Sequence, residues 1–219
     1  MKYYPAFLDL RDRPCLVVGG GPVAERKAIV LFDAGADLAV VSPTLTQALH
    51  ELADKGKITY RKKNFDEHDL TGMFLAVAAT DDDAVNGAVA HACRKNGVLV
   101  NVVTAPDEGT FIVPSVVERG DLLIAVSTCG YSPALARKVR EELEHAYGPE
   151  YGVFLEKMAL VRRKLIQDVP NEADRRKVFQ ALVDADILYL LRAGQVHEAD
   201  HRIAEIVRAV TGGSATSIS

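Results

Sequence analysis

Leu16-Val17-Val18-Gly19-Gly20-Gly21-Pro22-Val23-Ala24-Glu25-Arg26-Lys27 is the stretch whose reading decides the fold. Three aliphatic residues in a row read as a strand that three glycines interrupt. Beyond them Ala24, Ala28, Leu31 and Phe32 recur at helical spacing on one side, with Glu25, Arg26 and Asp33 elsewhere. Pro22 suits a first helical turn, where a missing N–H costs little. A strand, a glycine turn and a helix in direct succession fit the dinucleotide-binding fingerprint. That fingerprint asks for glycine first to make a tight turn, glycine third to let backbone approach a pyrophosphate, and a small sixth residue for close helix packing. Gly19, Gly21 and Ala24 meet those demands, and the helix start would aim free N–H groups and its positive dipole end at phosphates. A tight turn without a ligand is the competing reading, and the flanking strand and helix argue against it.

Working outward, short apolar runs at Cys15 to Val18, Leu38 to Val41, Ile58 to Tyr60, Met73 to Ala79 and Val98 to Val103 alternate with helical patterns at about 23–34, 44–55 and 82–96. That order predicts an α/β, Rossmann-like parallel sheet, and the scarcity of polar residues in several runs predicts strands covered on both faces. About 20 residues past the glycines the fingerprint places an Asp or Glu for the ribose, yet the chain reads Val40-Val41-Ser42-Pro43-Thr44. Ser42 or Thr44 can still bond a ribose hydroxyl, and no Arg stands there for a 2′-phosphate, so NAD is preferred to NADP. Thr80 and Asp81, at the end of the fourth run, are expected to line the cofactor's passage, while Asp81 to Asp83 also read as a cap for the next helix.

The whole chain excludes several classes. It has 219 residues, 48% hydrophobic and 26% charged, with 26 Lys and Arg against 30 Asp and Glu for a formal charge of −4. An acidic balance argues against a dedicated nucleic-acid binder. No apolar run approaches the roughly 18 residues that would suggest a membrane span. Residues 1–14, MKYYPAFLDLRDRP, carry charges and prolines where a signal peptide needs an apolar stretch, so a cytoplasmic protein is expected. Cys15, Cys93 and Cys129 are an odd number at no zinc or redox spacing, and are expected to be reduced. Any metal ligand set stays unknown.

Further motifs follow in order: Asn101-Val102-Val103-Thr104-Ala105-Pro106, then Phe111-Ile112-Val113-Pro114-Ser115, then Ile124-Ala125-Val126-Ser127-Thr128-Cys129-Gly130-Tyr131-Ser132-Pro133-Ala134-Leu135-Ala136-Arg137. Together with the glycine turn and Ala79-Thr80-Asp81-Asp82, they make residues 4–147 closely resemble the siroheme synthase amino-terminal family, precorrin-2 dehydrogenase/sirohydrochlorin ferrochelatase. The resemblance implies NAD-dependent oxidation of precorrin-2 to sirohydrochlorin and, in bifunctional members, insertion of ferrous iron to give siroheme. It places cofactor-contacting turns at Pro22-Val23 and Pro43-Thr44. It also implies a homodimer joined through about 113–145, with the tetrapyrrole between the nucleotide-binding domain and the dimer and helical parts. The methyltransferase domain fused in some members is expected to be absent, because the chain ends too soon.

One departure stands out. Many members carry an aspartate for acid–base work where this chain has Thr104, and a threonine hydroxyl is no carboxylate base at neutral pH. Asp107, three residues on, stands as the candidate replacement if a loop carries it to that place; the equal alternative is an exposed turn residue beside Pro106. Thr128 keeps the hydroxyl of a family serine and is the other candidate at the reacting end. Asn101, Ser127, Thr128, Ser132 and Arg137 are the candidate substrate contacts, since a helix starting at Ser132-Pro133 suits an anionic ligand and precorrin-2 is a polycarboxylate. Lys138 and Arg140 read better as surface partners of nearby glutamates.

From Tyr151 to Val210 the pattern is helical, broken at Gly148-Pro149 and Val169-Pro170-Asn171 and ended at Gly212-Gly213. Residues 156–178 hold seven basic against four acidic residues; a wall for a polycarboxylate and a solvated helix face are the two readings, and the second is preferred. His197 and His201 read as surface. The expected organisation is an NAD-binding domain over 1–112, a dimerisation segment over 113–147, a helical module over 148–213 and a flexible tail over 214–219. The competing functional reading is a nucleotide-sensing module that binds NAD and turns over nothing; the missing carboxylate at position 104 gives it room, and the Ser127 to Arg137 motif argues against it.

Overall fold

The computed structural model describes residues 2–212; Gly213 and the tail expected over 214–219 lie outside them. Among the described residues the chain forms two compact units, one ending at Val113 and the next beginning at Pro114.

In the first unit, β1 (Pro14–Val18), β2 (Asp37–Val41), β3 (Thr59–Arg61), β4 (Leu75–Ala78) and β5 (Leu99–Val102) form one parallel sheet in the order β3-β2-β1-β4-β5. Three helices connect them: α1 (Pro22–Asp33), α2 (Gln47–Asp54) and α3 (Asp83–Asn96). The chain starts in the middle of the sheet, moves outward through β2 and β3, then crosses to β4, so the order reverses beside β1. Such a switch point opens a crevice at the carboxyl ends of the strands.

Alternation along β1, β2 and β4 explains why these three are apolar throughout their inner length, whereas β3 at the edge, Thr59–Arg61, is partly exposed. Cys15, Val17, Leu38, Val40, Leu75 and Val77 pack on one face with Ala24, Ala28 and Leu31 of α1 and Leu49 of α2. Leu16, Val18, Ala39, Val41, Ala76 and Ala78 pack on the other with Val89, Ala90 and Cys93 of α3. Removing a fully buried leucine such as Leu16 or Leu38 from such a core costs about 2–5 kcal/mol.

Boundaries differ from the sequence reading for local reasons. The apolar run at Met73 shortens because the Met73 N–H donates to Leu70 O in a turn, and Val98 ties back to Cys93 O at the end of α3, where Gly97 adopts φ +69° as the left-handed cap. The second helix starts at Gln47, not near 44, because Thr46 is its N-cap, accepting from the Leu49 N–H.

In the second unit, β6 (Ser115–Arg119) and β7 (Leu122–Val126) form an antiparallel hairpin. Five helices follow: α4 (Pro133–Ala146), α5 (Glu150–Asp168), α6 (Glu172–Asp184), α7 (Ile187–Arg192) and α8 (Val196–Thr211). Phe154, Val161, Leu165, Val178, Leu182, Ile187 and Ile203 form a core that α5 to α8 share. Glu150, at the start of α5 and nearly buried, receives two hydrogen bonds from Arg192 at 2.8 and 2.6 Å, which ties α7 to it. The basic residues of 156–178 are largely engaged: Lys157 with Asp200, Arg162 over the Phe179 ring, Arg175 with the carbonyls of Val169 and Pro170, Arg176 with Glu172, Lys177 with Asp174. No described helix is long and apolar enough to cross a membrane.

Cys15 and Cys93 are fully buried, and burial pushes their thiols up to about 11 and about 12. Only Cys129 is partly exposed. Titration of the native protein with a thiol reagent is therefore expected to give one fast-reacting group, the other two reacting only on unfolding; three fast thiols would contradict this packing.

Candidate functional site

The site begins where β1 ends. Gly19 has φ +125°, and a Cβ on it would stand 2.4 Å from Ala79 O. Its N–H donates to Val41 O, while Ala79 N–H donates to Val18 O, so the turn passes between the ends of β2 and β4. Gly20 is tighter still: a Cβ there would lie 1.9 Å from Thr44 O and 2.8 Å from Ser42 Oγ. Gly21 is the opposite case, since a Cβ would meet nothing within 4 Å. Gly21 is the N-cap of α1, no side chain caps the helix, and Pro22 is its first residue. An uncapped helix start behind an open glycine is a cradle for an anion that any side chain at position 21 would begin to fill. Ala24 is fully buried, as close packing of α1 on the sheet requires.

Around this turn lies a cleft of about 790 Å³, lined by Gly19 to Val23, Ser42 to Thr44, Lys63 to Phe65, Thr80 to Asp82, Val103 and Thr104, among others. Its size falls within the range of about 300–1,000 Å³ usual for small-molecule sites. Every cofactor position expected from the sequence is therefore on one cleft: Gly19, Gly21, Pro22, Val23, Ser42, Pro43, Thr44, Thr80 and Asp81. Ser42 is buried, and the Tyr60 hydroxyl donates to Ser42 O at 3.1 Å and Pro43 O at 3.4 Å, fixing the turn after β2. Asp82 caps α3 by accepting from the N–H groups of Ala84 and Val85.

Next to the glycine turn, behind Thr80 and Thr104, Asn86 organises two strand ends. It is almost fully buried. Its Oδ1 accepts from the N–H and hydroxyl of Thr80 at 3.1 and 2.8 Å, and its Nδ2 donates to Thr80 O at 3.0 Å and Thr104 Oγ1 at 3.3 Å. With Thr104 Oγ1 accepting from Asn86, its own O–H proton remains available to a ligand.

Asp107 is elsewhere. It sits in a short 3₁₀ turn, Pro106–Glu108, with its side chain 86% exposed and bound to Lys2 Nζ at 2.7 Å, which holds its carboxyl below the usual range. Of the two readings of this residue, the structure has the exposed turn. Asn101, on β5, is buried and donates from Nδ2 to Phe111 O at 3.2 Å, holding the returning chain. In the second unit the Thr128 hydroxyl donates to Ser132 O and accepts from Ser132 N–H, Ser127 Oγ accepts from Cys129 N–H, and Ser132 Oγ caps α4 through Leu135 N–H. These hydroxyls hold a turn in which Cys129 adopts φ +54°. Arg137 is exposed and pairs with Glu141 at 2.8 Å.

Sequence reasoning passed over Gly20, Asn86 and Lys63. Asn86, Val89, Ala90 and Cys93 share one helical face, so a polar residue heading an apolar stripe was the available signal for Asn86. Lys63 gave none, because only the pairing of β3 with β2 brings it to the cleft. Behind Lys63 stands Asp69, nearly buried. Burial opposes its ionisation, but hydrogen bonds from Lys63, the Asp66 N–H and Arg61 outweigh that and hold the carboxyl below its ordinary value. Its contribution to stability is thus present above the unfolded carboxylate's pKa of about 3.9 and lost as pH falls through the lower native value. Asp69→Asn is expected to flatten the acid limb of a thermal-melting profile measured against pH; an unchanged limb would contradict this.

Residues 6–115 match the family model described as "Putative NAD(P)-binding", and residues 119–146 match "Sirohaem biosynthesis protein central". A siroheme synthase of Methylococcus capsulatus is 42% identical over 205 residues, covering 94% of this chain and 43% of the relative. Siroheme synthase of Nitrosococcus oceani is 41% identical, covering 91% and 43%. The chain thus spans less than half the length of these relatives. Among solved structures, "SirC, precorrin-2 dehydrogenase" superposes with a TM-score of 0.79 at 30% identity, covering 93% of this chain and 100% of that one. Matches of this identity and extent mean that the protein belongs to the siroheme synthase amino-terminal family.

Proposed function

We propose that this protein oxidises precorrin-2 to sirohydrochlorin with NAD as hydride acceptor, in siroheme biosynthesis. The observation that carries the reading is the match to the whole length of a solved protein named precorrin-2 dehydrogenase, with the cleft at Gly19 to Ala24 in place. When bound, NAD supplies the oxidising power. The chain's own part is positioning. Gly21 and the start of α1 receive the pyrophosphate, Ser42, Pro43 and Thr44 receive the adenosine half, and Thr80, Asp81 and Thr104 flank the other half. Thr104, held by Asn86, offers a hydroxyl donor at that end. Asp107 is left out of the reacting set because of its exposure and its pairing with Lys2; Asp107→Ala is expected to keep the oxidation rate within about twofold, whereas a base would have contributed at least about a hundredfold.

The reading is tested by anaerobic incubation with precorrin-2, with and without NAD. The macrocycle's absorbance is expected to change to that of sirohydrochlorin only when NAD is present. NAD binding without any change would favour the sensing module instead.

Three further parts belong to the proposal. The working form is a homodimer, supported by the β6–β7 hairpin: among the described residues it is a two-stranded sheet, and Val116 and Leu123 on one face are 39% and 44% exposed. Val117 on the opposite face is already buried, so this outer apolar face is the one a second copy would cover. Light scattering is expected to give a dimer for the native chain and a monomer for Val116→Lys/Leu123→Lys. Ferrous-iron insertion into sirohydrochlorin is a separable second activity, read as siroheme formation when ferrous iron is added. The setting is cytoplasmic, where the three cysteines stay reduced.

A further inference from the structure

The end of β2 is where a dinucleotide site carries the carboxylate that bonds a ribose 2′-hydroxyl and repels a 2′-phosphate. Here that place holds Ser42, Pro43 and Thr44. Beside it the structure brings a cation that spacing along the chain did not reveal. β3 pairs in parallel with β2, Ser42 N–H donates to Arg61 O, and the chain turns at once, Lys63 N–H donating to the same carbonyl at 2.9 Å. Lys63 thereby becomes a wall of the cleft on its β2 side.

Its ammonium is anchored. Asp69 Oδ2 accepts from Lys63 Nζ at 2.9 Å while Asp69 Oδ1 accepts from Arg61 at 3.0 Å, and the Asp69 side chain is only 4% exposed. One carboxylate between two cations leaves this group with a charge of +1. An ammonium has three donors, and the anchor uses one. Holding the side chain in place also lowers the entropy lost when a ligand is bound.

We infer that Lys63 is a specificity residue for the cofactor and that the cleft takes a 2′-phosphorylated dinucleotide, NADP, as well as NAD. Asp69 is its positioning residue. The inference rests on the dinucleotide reading of the cleft. It goes beyond the reading of Val40 to Thr44 alone, which prefers NAD and finds no partner for a 2′-phosphate.

Equilibrium binding of NAD and of NADP, measured by calorimetry without tetrapyrrole, tests it on the full chain. The native protein is expected to bind NADP within about tenfold of NAD, since one charge-assisted hydrogen bond is worth that much or more. Lys63→Ala is expected to weaken NADP about tenfold or more while changing NAD less than about threefold, and raising salt is expected to erode NADP binding more in the native protein than in the variant. Lys63→Met, which keeps an unbranched stem and removes the donors, is expected to lose NADP in the same way. Native binding of NADP more than about tenfold weaker than NAD, or a ratio that neither variant moves, overturns the inference. If neither dinucleotide binds the native protein, it is the reading of the cleft itself that fails.

Discussion

Gly21→Ala is expected to leave the melting temperature unchanged and to weaken dinucleotide binding by about a hundredfold, whereas Gly20→Ala is expected to unfold or rearrange the site altogether. The two residues are neighbours in one turn, so the contrast isolates what each is for. At position 20 a Cβ would overlap Thr44 O at 1.9 Å, and that oxygen belongs to backbone which cannot step aside without moving the turn after β2. The Thr46 N–H to Gly20 O bond, at 2.9 Å, would be strained with it, and with that bond the start of α2. Overpacking of this kind costs about 1–3 kcal/mol even where side chains can yield. At position 21 nothing stands within 4 Å and the backbone is extended, with φ −82°. A methyl group there harms only a ligand that must approach the backbone closely. A hundredfold loss corresponds to about 2.7 kcal/mol, the worth of one or two charge-assisted hydrogen bonds to phosphate. Gly21→Ala binding NAD as tightly as the native chain would remove the pyrophosphate from this turn.

Thr104→Asp is expected to raise kcat for the oxidation about tenfold or more while leaving NAD affinity nearly unchanged. A positioned carboxylate base contributes about 10²–10⁴ in rate, and a threonine hydroxyl at neutral pH contributes none of it. The site is already suited to the change. Asn86 Nδ2, which donates to Thr104 Oγ1 at 3.3 Å, is as good a donor to a carboxylate oxygen. Thr104→Val is the complementary variant: Asn86 Nδ2 keeps its bond to Thr80 O but its second N–H loses its partner, at a cost of about 1–3 kcal/mol in stability. If Thr104→Asp loses rate while still binding NAD, the hydroxyl is needed as a donor and position 104 does not want a base.

Much of this was legible in the chain. The run from Leu16 to Lys27 predicted β1, the glycine turn and α1, because strand, turn and helix each follow from local preferences there. The doubly covered sheet followed from apolar runs without polar alternation, and the two faces now account for the odd and even residues of β1, β2 and β4. The positions expected to hold the cofactor come together on one cleft for the same reason, since parallel sheets put their functional loops at one edge. What was hidden depends on contacts distant in sequence. Gly20 is constrained by Thr44, Asn86 acts on Thr80 and Thr104, and Lys63 reaches the cleft only through the pairing of β3 with β2. Asp107 shows the reverse: three residues from Thr104 in sequence, it turns outward to Lys2 because Pro106 starts a 3₁₀ turn.

The central claim is that a dinucleotide bound at Gly19 to Ala24 takes the hydride from precorrin-2. The most direct measurement mixes the protein anaerobically with NAD and a limiting amount of precorrin-2, then quantifies NADH and sirohydrochlorin in the same sample. Equal amounts of the two, both formed far more slowly when Gly21→Ala replaces the native chain at the same subsaturating NAD concentration, are the predicted result. Sirohydrochlorin without NADH, or neither product while NAD is bound, would contradict it.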